Sequence, residues 1–163
     1  MAPTVPRLTI GLMVARRPRK FADAARFSPW FRAAAAYNLG WSAVNLLWPR
    51  QMLRLLGHEC GDPLAWQLAA MLVGVYGPAY WWASRFPERH AHVIAVSMLG
   101  KILGPAGFGL SVTRGRLPLR FGVAILLNDL IWWPAFSRYL REAAAASGGW
   151  PAFLSGHGPA SAG

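Results

Sequence analysis

A long segment without charge is the strongest constraint on how this chain folds. From residue 63 to residue 83, twenty-one consecutive residues carry no charged side chain. Asp62 precedes them as a helix N-cap, and Pro63 stands at the first helical position, where proline is favoured. About 20 apolar residues in a helix, rising 1.5 Å each, cross the roughly 30 Å hydrocarbon core of a bilayer. The segment therefore predicts a transmembrane helix.

Three further segments are mainly apolar, at about residues 29–48, 91–112 and 119–139; Arg32 lies near the start of the first, Lys101 within the second and Asp129 within the third. Only 14% of the residues are charged, against about 25% in a typical soluble domain, and 55% are hydrophobic, which excludes a disordered chain. The single cysteine, Cys60, excludes a disulfide-stapled module. We predict an all-α fold, a four-helix transmembrane bundle over residues 29–142.

The basic residues predict an orientation for this bundle. The formal net charge is +11. With four spans, the N-terminal arm, the second loop and the C-terminal end lie on one side and hold eleven Lys and Arg residues, against five on the other side. The positive-inside rule then places both termini in the cytoplasm. Residues 1–28 are predicted to form a basic cytoplasmic arm. We expect it to contact anionic lipid headgroups, and not nucleic acid, through four basic residues: Arg16, Arg17, Arg19 and Lys20.

Two shorter segments complete the organisation. Between residues 48 and 58, the spacing predicts a short interfacial helix after the first span, with Arg50 and Arg54 on one face. Its other face groups the apolar side chains Met52, Leu53, Leu55 and Leu56. Residues 143–163 are small, rich in glycine and proline and without Lys, Arg, Asp or Glu, which predicts a flexible C-terminal tail.

Polar residues inside the apolar segments predict a buried centre. Lys101 and Asp129 each lie about ten residues into antiparallel spans, so both arrive near the bilayer midplane. A lone charge there costs at least ~2.5–3.5 kcal/mol, so we expect the two side chains to face each other inside the bundle. Other polar side chains need partners in lipid and are expected to converge on this pair: Asn38, Ser42, Asn45, Gln67, Tyr76 and Asn128.

The buried centre has two interpretations. In the first, it holds the helices together and fixes their register. In the second, it is a pocket or a proton-handling site, because ionisable residues within a membrane are functional candidates by default. A flat apolar ligand such as a quinone or an isoprenoid could then be lined by four aromatic residues, Tyr80, Trp132, Trp133 and Phe136.

The sequence offers no recognisable catalytic set. It contains no phosphate-binding loop and no dinucleotide fingerprint. His58, Glu59, Cys60 and Asp62 have metal-binding atoms, but no second cluster completes a site, and we predict neither a metal nor a resident cofactor.

Four motifs within residues 37–139 carry a resemblance to a known group. They are YNLGWSAVNLLWP (37–49), GVYGPAYWWA (74–83), GKILGPAGF (100–108) and NDLIWWPAF (128–136). With them the chain resembles small bacterial four-span membrane proteins loosely called DoxX-like. The resemblance implies a multi-pass four-helix bundle in the bacterial inner membrane, sometimes associated with quinone-linked oxidoreductases.

Two functions are compatible with these features. The first is a non-enzymatic structural or accessory subunit, which binds lipid, a larger membrane complex or further copies of itself. The alternative is a small membrane enzyme or carrier that binds a hydrophobic ligand at the Lys101 and Asp129 site.

Overall fold

The computed structural model describes residues 21, 23–59 and 62–156. Within these ranges every regular element is a helix and there are no strands, which confirms the all-α prediction. The four basic residues predicted to contact lipid headgroups lie outside the described residues: Arg16, Arg17, Arg19 and Lys20.

The long helices follow the apolar segments closely. They are α1 (Ser28–Leu47), α3 (Leu64–Arg85) and α4 (Ala91–Thr113), with the short α2 (Pro49–Leu55) between the first two. Proline stands in the first turn of α1 and α2, where its missing N–H is not needed. Pro78 and Pro105 lie inside α3 and α4, and both helices continue through them. At the start of α3 the Asp62 carboxylate accepts the backbone N–H of Leu64 at 2.9 Å.

The fourth apolar segment is not one regular helix. After a 3-10 turn at Leu119–Phe121 it forms α5 (Gly122–Asn128), a second 3-10 turn at Leu130–Trp132, and α6 (Trp133–Ala146). The change of pitch follows Asp129: the Trp132 N–H bonds to the Asp129 carbonyl, three residues back, at 3.2 Å. The Asn128 carbonyl, four residues back, is thereby released from the helix ladder and is free for a side chain.

Two of these helical stretches are long and apolar enough to cross a membrane, Ala91–Thr113 and Leu119–Ala146. Only 17% and 28% of their most apolar windows are buried inside the protein, whereas a core helix of a soluble protein is mostly buried. Helices α1 and α3 are also long enough but less apolar, because several polar side chains lie along them.

An aromatic cluster closes one end of the bundle. The Tyr139 ring is contacted by Phe21, Phe27 and Phe31, with ring centroids 4.9–5.4 Å apart. The Tyr139 hydroxyl donates a hydrogen bond to the Pro87 carbonyl between α3 and α4. Phe21, Ala24 and Phe27, which the sequence placed in the basic arm, therefore contribute to the core.

The C-terminal region differs from the predicted flexible tail. Helix α6 continues through the alanine run to Ala146, and a further helix, α7, spans Trp150–Leu154. Alanine has the highest helix propensity, so the run extends α6 instead of ending it. Gly148 and Gly149 take positive φ angles of 93° and 117°, a conformation that suits glycine, and there the chain turns back. Residues 157–163 lie outside the described residues.

Helix α7 is held by one apolar anchor. Phe153 is fully buried and stacks on the His92 ring with centroids 4.5 Å apart, while His92 Nε2 lies 2.7 Å from the Phe153 carbonyl oxygen. Helix α7 therefore packs on the start of α4.

Candidate functional site

A cavity of about 190 Å³ lies halfway along the bundle. Lys101 is the eleventh of the 23 residues of α4, and Asn38 is the eleventh of the 20 residues of α1. Seven of its ten lining residues have a polar side-chain group, although much of the surface they present is apolar: Asn38, Tyr76, Tyr80, Ser97, Lys101, Asn128 and Asp129, with Leu72, Val73 and Gly100.

The cavity opens sideways, between α3 and α4. Leu72 on α3 is 69% exposed, and Gly100 on α4 is also exposed, although both line the cavity. A molecule would therefore reach the polar wall from the flank of the bundle and not along its axis.

Lys101 and Asp129 face each other at close range. The Lys101 Nζ atom lies 3.9 Å from Asp129 Oδ1, and the two side chains are only 6% and 8% exposed. This distance is too long for a hydrogen bond, although the attraction is strong in a medium of low dielectric constant. The ammonium group donates instead to the Asn128 carbonyl at 2.6 Å, the carbonyl that the 3-10 turn releases. An ammonium group has three N–H donors, so further donor capacity remains.

Gly104 makes room for the Asp129 carboxylate. A Cβ atom at residue 104 would lie 2.5 Å from Asp129 Oδ2, closer than real Cβ contacts come. The other carboxylate oxygen, Oδ1, accepts a hydrogen bond from Asn128 Nδ2 at 3.1 Å. The small residue on α4 and the amide before Asp129 together fix the position of the acid.

Two buried side-chain oxygen atoms of the cavity residues have no hydrogen-bond partner among the described residues. They are Oδ1 of Asn38 and Oδ1 of Asn128, and both are buried. The other polar atom of the Asn38 side chain, the amide nitrogen, donates a hydrogen bond to the Val73 carbonyl at 3.1 Å. A buried polar group without a partner costs about 1–3 kcal/mol. Two of the lining residues therefore carry an amide oxygen whose hydrogen-bonding capacity is unused among the described residues.

The aromatic residues have different parts in this region. Tyr80 lines the cavity, and its hydroxyl is hydrogen-bonded to Ser97. The Lys101 Nζ atom lies 6.0 Å from the ring centroids of Tyr80 and Phe136, at the outer limit of a cation–π contact. Trp133 does not line the cavity, but its indole N–H donates to the Lys101 carbonyl at 3.1 Å. Trp132 packs on Tyr37 and on Phe136, and its indole nitrogen is buried without a partner among the described residues.

Only some of the expected polar residues reach the cavity. Asn38, Tyr76 and Asn128 line it, whereas Ser42, Asn45 and Gln67 lie at the contact between α1 and α3. The indole N–H of Trp66 donates to Asn45 Oδ1 at 2.9 Å, and Gln67 Nε2 donates to the Leu46 carbonyl at 3.2 Å.

Ser42 is buried at a close approach of the same two helices. A Cβ atom at Gly74 on α3 would lie 2.5 Å from the Ser42 hydroxyl oxygen, so glycine is needed there.

Ser97 is the polar lining residue that the sequence did not predict. It lies four residues before Lys101 on α4, which places both on one face of the helix. That spacing was the available signal.

The described residues contain no group of three or more His, Cys, Asp or Glu side chains that could hold a metal ion. The cavity instead combines one cationic donor, one carboxylate, two free amide oxygens and an aromatic wall. This set suits the binding of a small molecule with a polar head. Comparison with protein-family models, with curated proteins and with solved structures finds no match for the chain.

Proposed function

We propose that this chain is a four-span protein of the bacterial inner membrane, with both termini in the cytoplasm, that binds a small hydrophobic molecule in the cavity beside Lys101 and Asp129. The observation that carries the proposal is the pair of buried, unpartnered oxygens of Asn38 and Asn128. A passive bundle would gain stability by satisfying or replacing them.

The dimensions and outer faces of the helices support four spans. At 1.5 Å per residue, α1 and α3 are about 30 and 33 Å long, enough to cross the hydrocarbon core. Helix α3 also exposes a row of large apolar side chains, Leu68, Met71, Leu72 and Val75. Exposed apolar surface of this extent is favourable against lipid and unfavourable in water.

The polar groups of the cavity indicate the chemistry of the ligand head. The two amide oxygens need a donor, while Lys101 supplies donors to an acceptor. A hydroxyl group donates and accepts at once, so the head of a reduced quinone or of an isoprenoid alcohol meets both demands.

The volume limits how much of the ligand enters. An engineered apolar cavity of about 150 Å³ holds benzene, so a cavity of about 190 Å³ accepts one ring or a few carbon atoms. The remainder of a longer ligand would lie outside, through the lateral opening at Leu72 and Gly100, in contact with lipid chains.

Filling the cavity tests the proposal. A Cβ atom at Gly100 meets no other atom within 4 Å, so Gly100→Leu places a side chain at the cavity without displacing the backbone. Gly107→Leu is the matched control, because it has the same free space on α4 and does not line the cavity. The wild type and the two variants are purified in mild detergent, and the apolar molecules extracted from each protein are measured by mass spectrometry.

We expect the wild type and Gly107→Leu to carry the same hydroxylated apolar molecule and Gly100→Leu to carry at least about ten-fold less, with equal melting temperatures. Equal amounts in all three proteins, or none in the wild type, would overturn ligand binding. If a membrane protein instead copurifies equally with all three, the role of structural or accessory subunit is the better one.

A further inference from the structure

A second cavity, of about 350 Å³, lies beside the short helix α2. It is lined by Arg50, Leu53, Arg54, His58 and Glu59, and it shares no residue with the cavity at Lys101. Arg50 and Arg54 are one helical turn apart, so both guanidinium groups extend from the same face of α2.

The charges of this cavity are not balanced within the described part of the chain. Neither Arg50 nor Arg54 forms an ion pair with any described residue, and Glu59 is the one acid in the lining. A third guanidinium group stands at the end of α2: Arg120 donates to the Arg54 carbonyl at 3.3 Å and fills the space where a Cβ atom of Gly57 would be. Gly57, with a φ of +77°, permits this close approach. The result is an excess of positive charge open to an anion.

The opposite side of α2 faces an apolar groove of about 420 Å³. Met52 and Leu55 of α2 and Leu56 directly after it line this groove, against side chains of α1 and α5. Helix α2 thus has arginines in a polar cavity on one side and hydrocarbon on the other, the arrangement of a helix lying at the membrane interface. The position of α2 at the interface rests on the membrane placement proposed above. At the interface, α2 lies at the level of the lipid phosphate groups.

We propose that Arg50, Arg54 and His58 bind the phosphate of an anionic phospholipid whose acyl chains lie along the apolar groove. A guanidinium group forms two parallel hydrogen bonds to phosphate oxygens, and two such groups one turn apart hold one phosphate from two sides. His58 adds a ring N–H from the same wall, and its ring is kept in place by an edge-on contact with Phe121 at 6.5 Å. The negative charge of the phosphate neutralises the positive charge of the arginines that Glu59 alone does not balance.

The experiment compares two double variants. One lacks the two arginines of the cavity, and the other, the control, lacks two arginines elsewhere at the same end of the molecule. Arg50→Gln with Arg54→Gln is compared with Arg114→Gln with Arg116→Gln, two exposed loop arginines that line neither cavity. Each protein is transferred from delipidating detergent into micelles that contain phosphatidylglycerol or phosphatidylcholine. Retained phospholipid is counted by native mass spectrometry.

We expect the wild type and the loop variant to retain one phosphatidylglycerol in preference to phosphatidylcholine, and the Arg50 and Arg54 variant to retain at least about ten-fold less. Equal retention by the two double variants would overturn the proposal. Competition by inorganic phosphate at millimolar concentration would also overturn it, because the site would then recognise a free anion and not a lipid.

A measurement on cell membranes that contain the wild-type protein separates this proposal from the membrane placement. Extraction of cell membranes at alkaline pH releases a protein that is not embedded. Release of the wild type would overturn the placement and this proposal together, whereas an embedded wild type without a preferred phospholipid would overturn only the lipid site.

Discussion

Lys101 and Asp129 are buried together, and their contacts explain how two charges persist halfway along the bundle. The ammonium group donates a hydrogen bond to the carbonyl that the 3-10 turn releases, and the carboxylate accepts one from the side-chain amide of the preceding residue. Each charge therefore has a polar partner besides the opposite charge. Their depth could be counted from the sequence, but the released carbonyl could not, because it depends on a local change of helix pitch.

Removing one of these charges should harm the fold more than removing both. Breaking a buried pair costs about 3–5 kcal/mol, because the remaining charge stays buried without its counterpart. We expect Lys101→Met or Asp129→Asn to lower the melting temperature in detergent by on the order of 10 °C. The double variant should recover most of this loss in the same thermal denaturation measurement. A double variant as unstable as the sum of the two single variants would show that the residues act independently.

At the scale of single elements, two features that the sequence did not predict lie in the last third of the chain. The 3-10 turn after Asp129 precedes Pro134 in the first turn of α6, and its residues are apolar like the helices on either side. Helix α7 lies in a segment whose overall composition is typical of a flexible tail. Phe153, its anchor, contacts His92, which is 61 residues away along the chain. Local composition carries no information about such a contact.

Replacing this anchor should release α7. A buried phenylalanine contributes about 3–5 kcal/mol relative to alanine, more than a five-residue helix contributes alone. We expect Phe153→Ala to abolish the protection of amides 152–156 against hydrogen exchange, measured by mass spectrometry, while α4 keeps its protection. Leu154→Ala is the control, because Leu154 is exposed on the same helix. Equal loss of protection in both variants would show that Phe153 is not the anchor.

At the scale of the whole molecule, the sequence predicted the helices well and the site in part. The apolar segments predicted α1, α3 and α4 to within about two residues, because charges are costly inside a span and most of them lie at its ends. Which residues line the cavity was harder to predict from the sequence. All of the expected polar residues lie on α1, α3 or α5, but Asn45 and Gln67 hydrogen-bond at the α1–α3 contact instead of at the centre. Which polar groups pair and which stay free is decided by the packing of whole helices.

The orientation of the molecule yields a prediction that also tests whether α4 spans the membrane. Glu88 lies in the loop before α4 and Arg116 in the loop after it, so a spanning α4 places them on opposite sides. With Cys60 replaced by serine, a single cysteine is introduced at either position. Arg116→Cys removes a basic residue from the less basic side, so it strengthens the charge bias that sets the topology. Acidic residues contribute little to this bias, which makes Glu88→Cys a neutral change.

We expect a maleimide that cannot cross membranes to label the cysteine at 116 in intact spheroplasts. The cysteine at 88 should react only after permeabilisation, because the basic arm and the second loop remain in the cytoplasm. The reverse labelling pattern would show that the topology is the opposite of the one proposed. Equal labelling of both positions before permeabilisation would show that α4 does not cross the membrane. With α4 across the membrane, the opening between α3 and α4 faces lipid, and the bilayer itself becomes the route by which a ligand reaches Lys101.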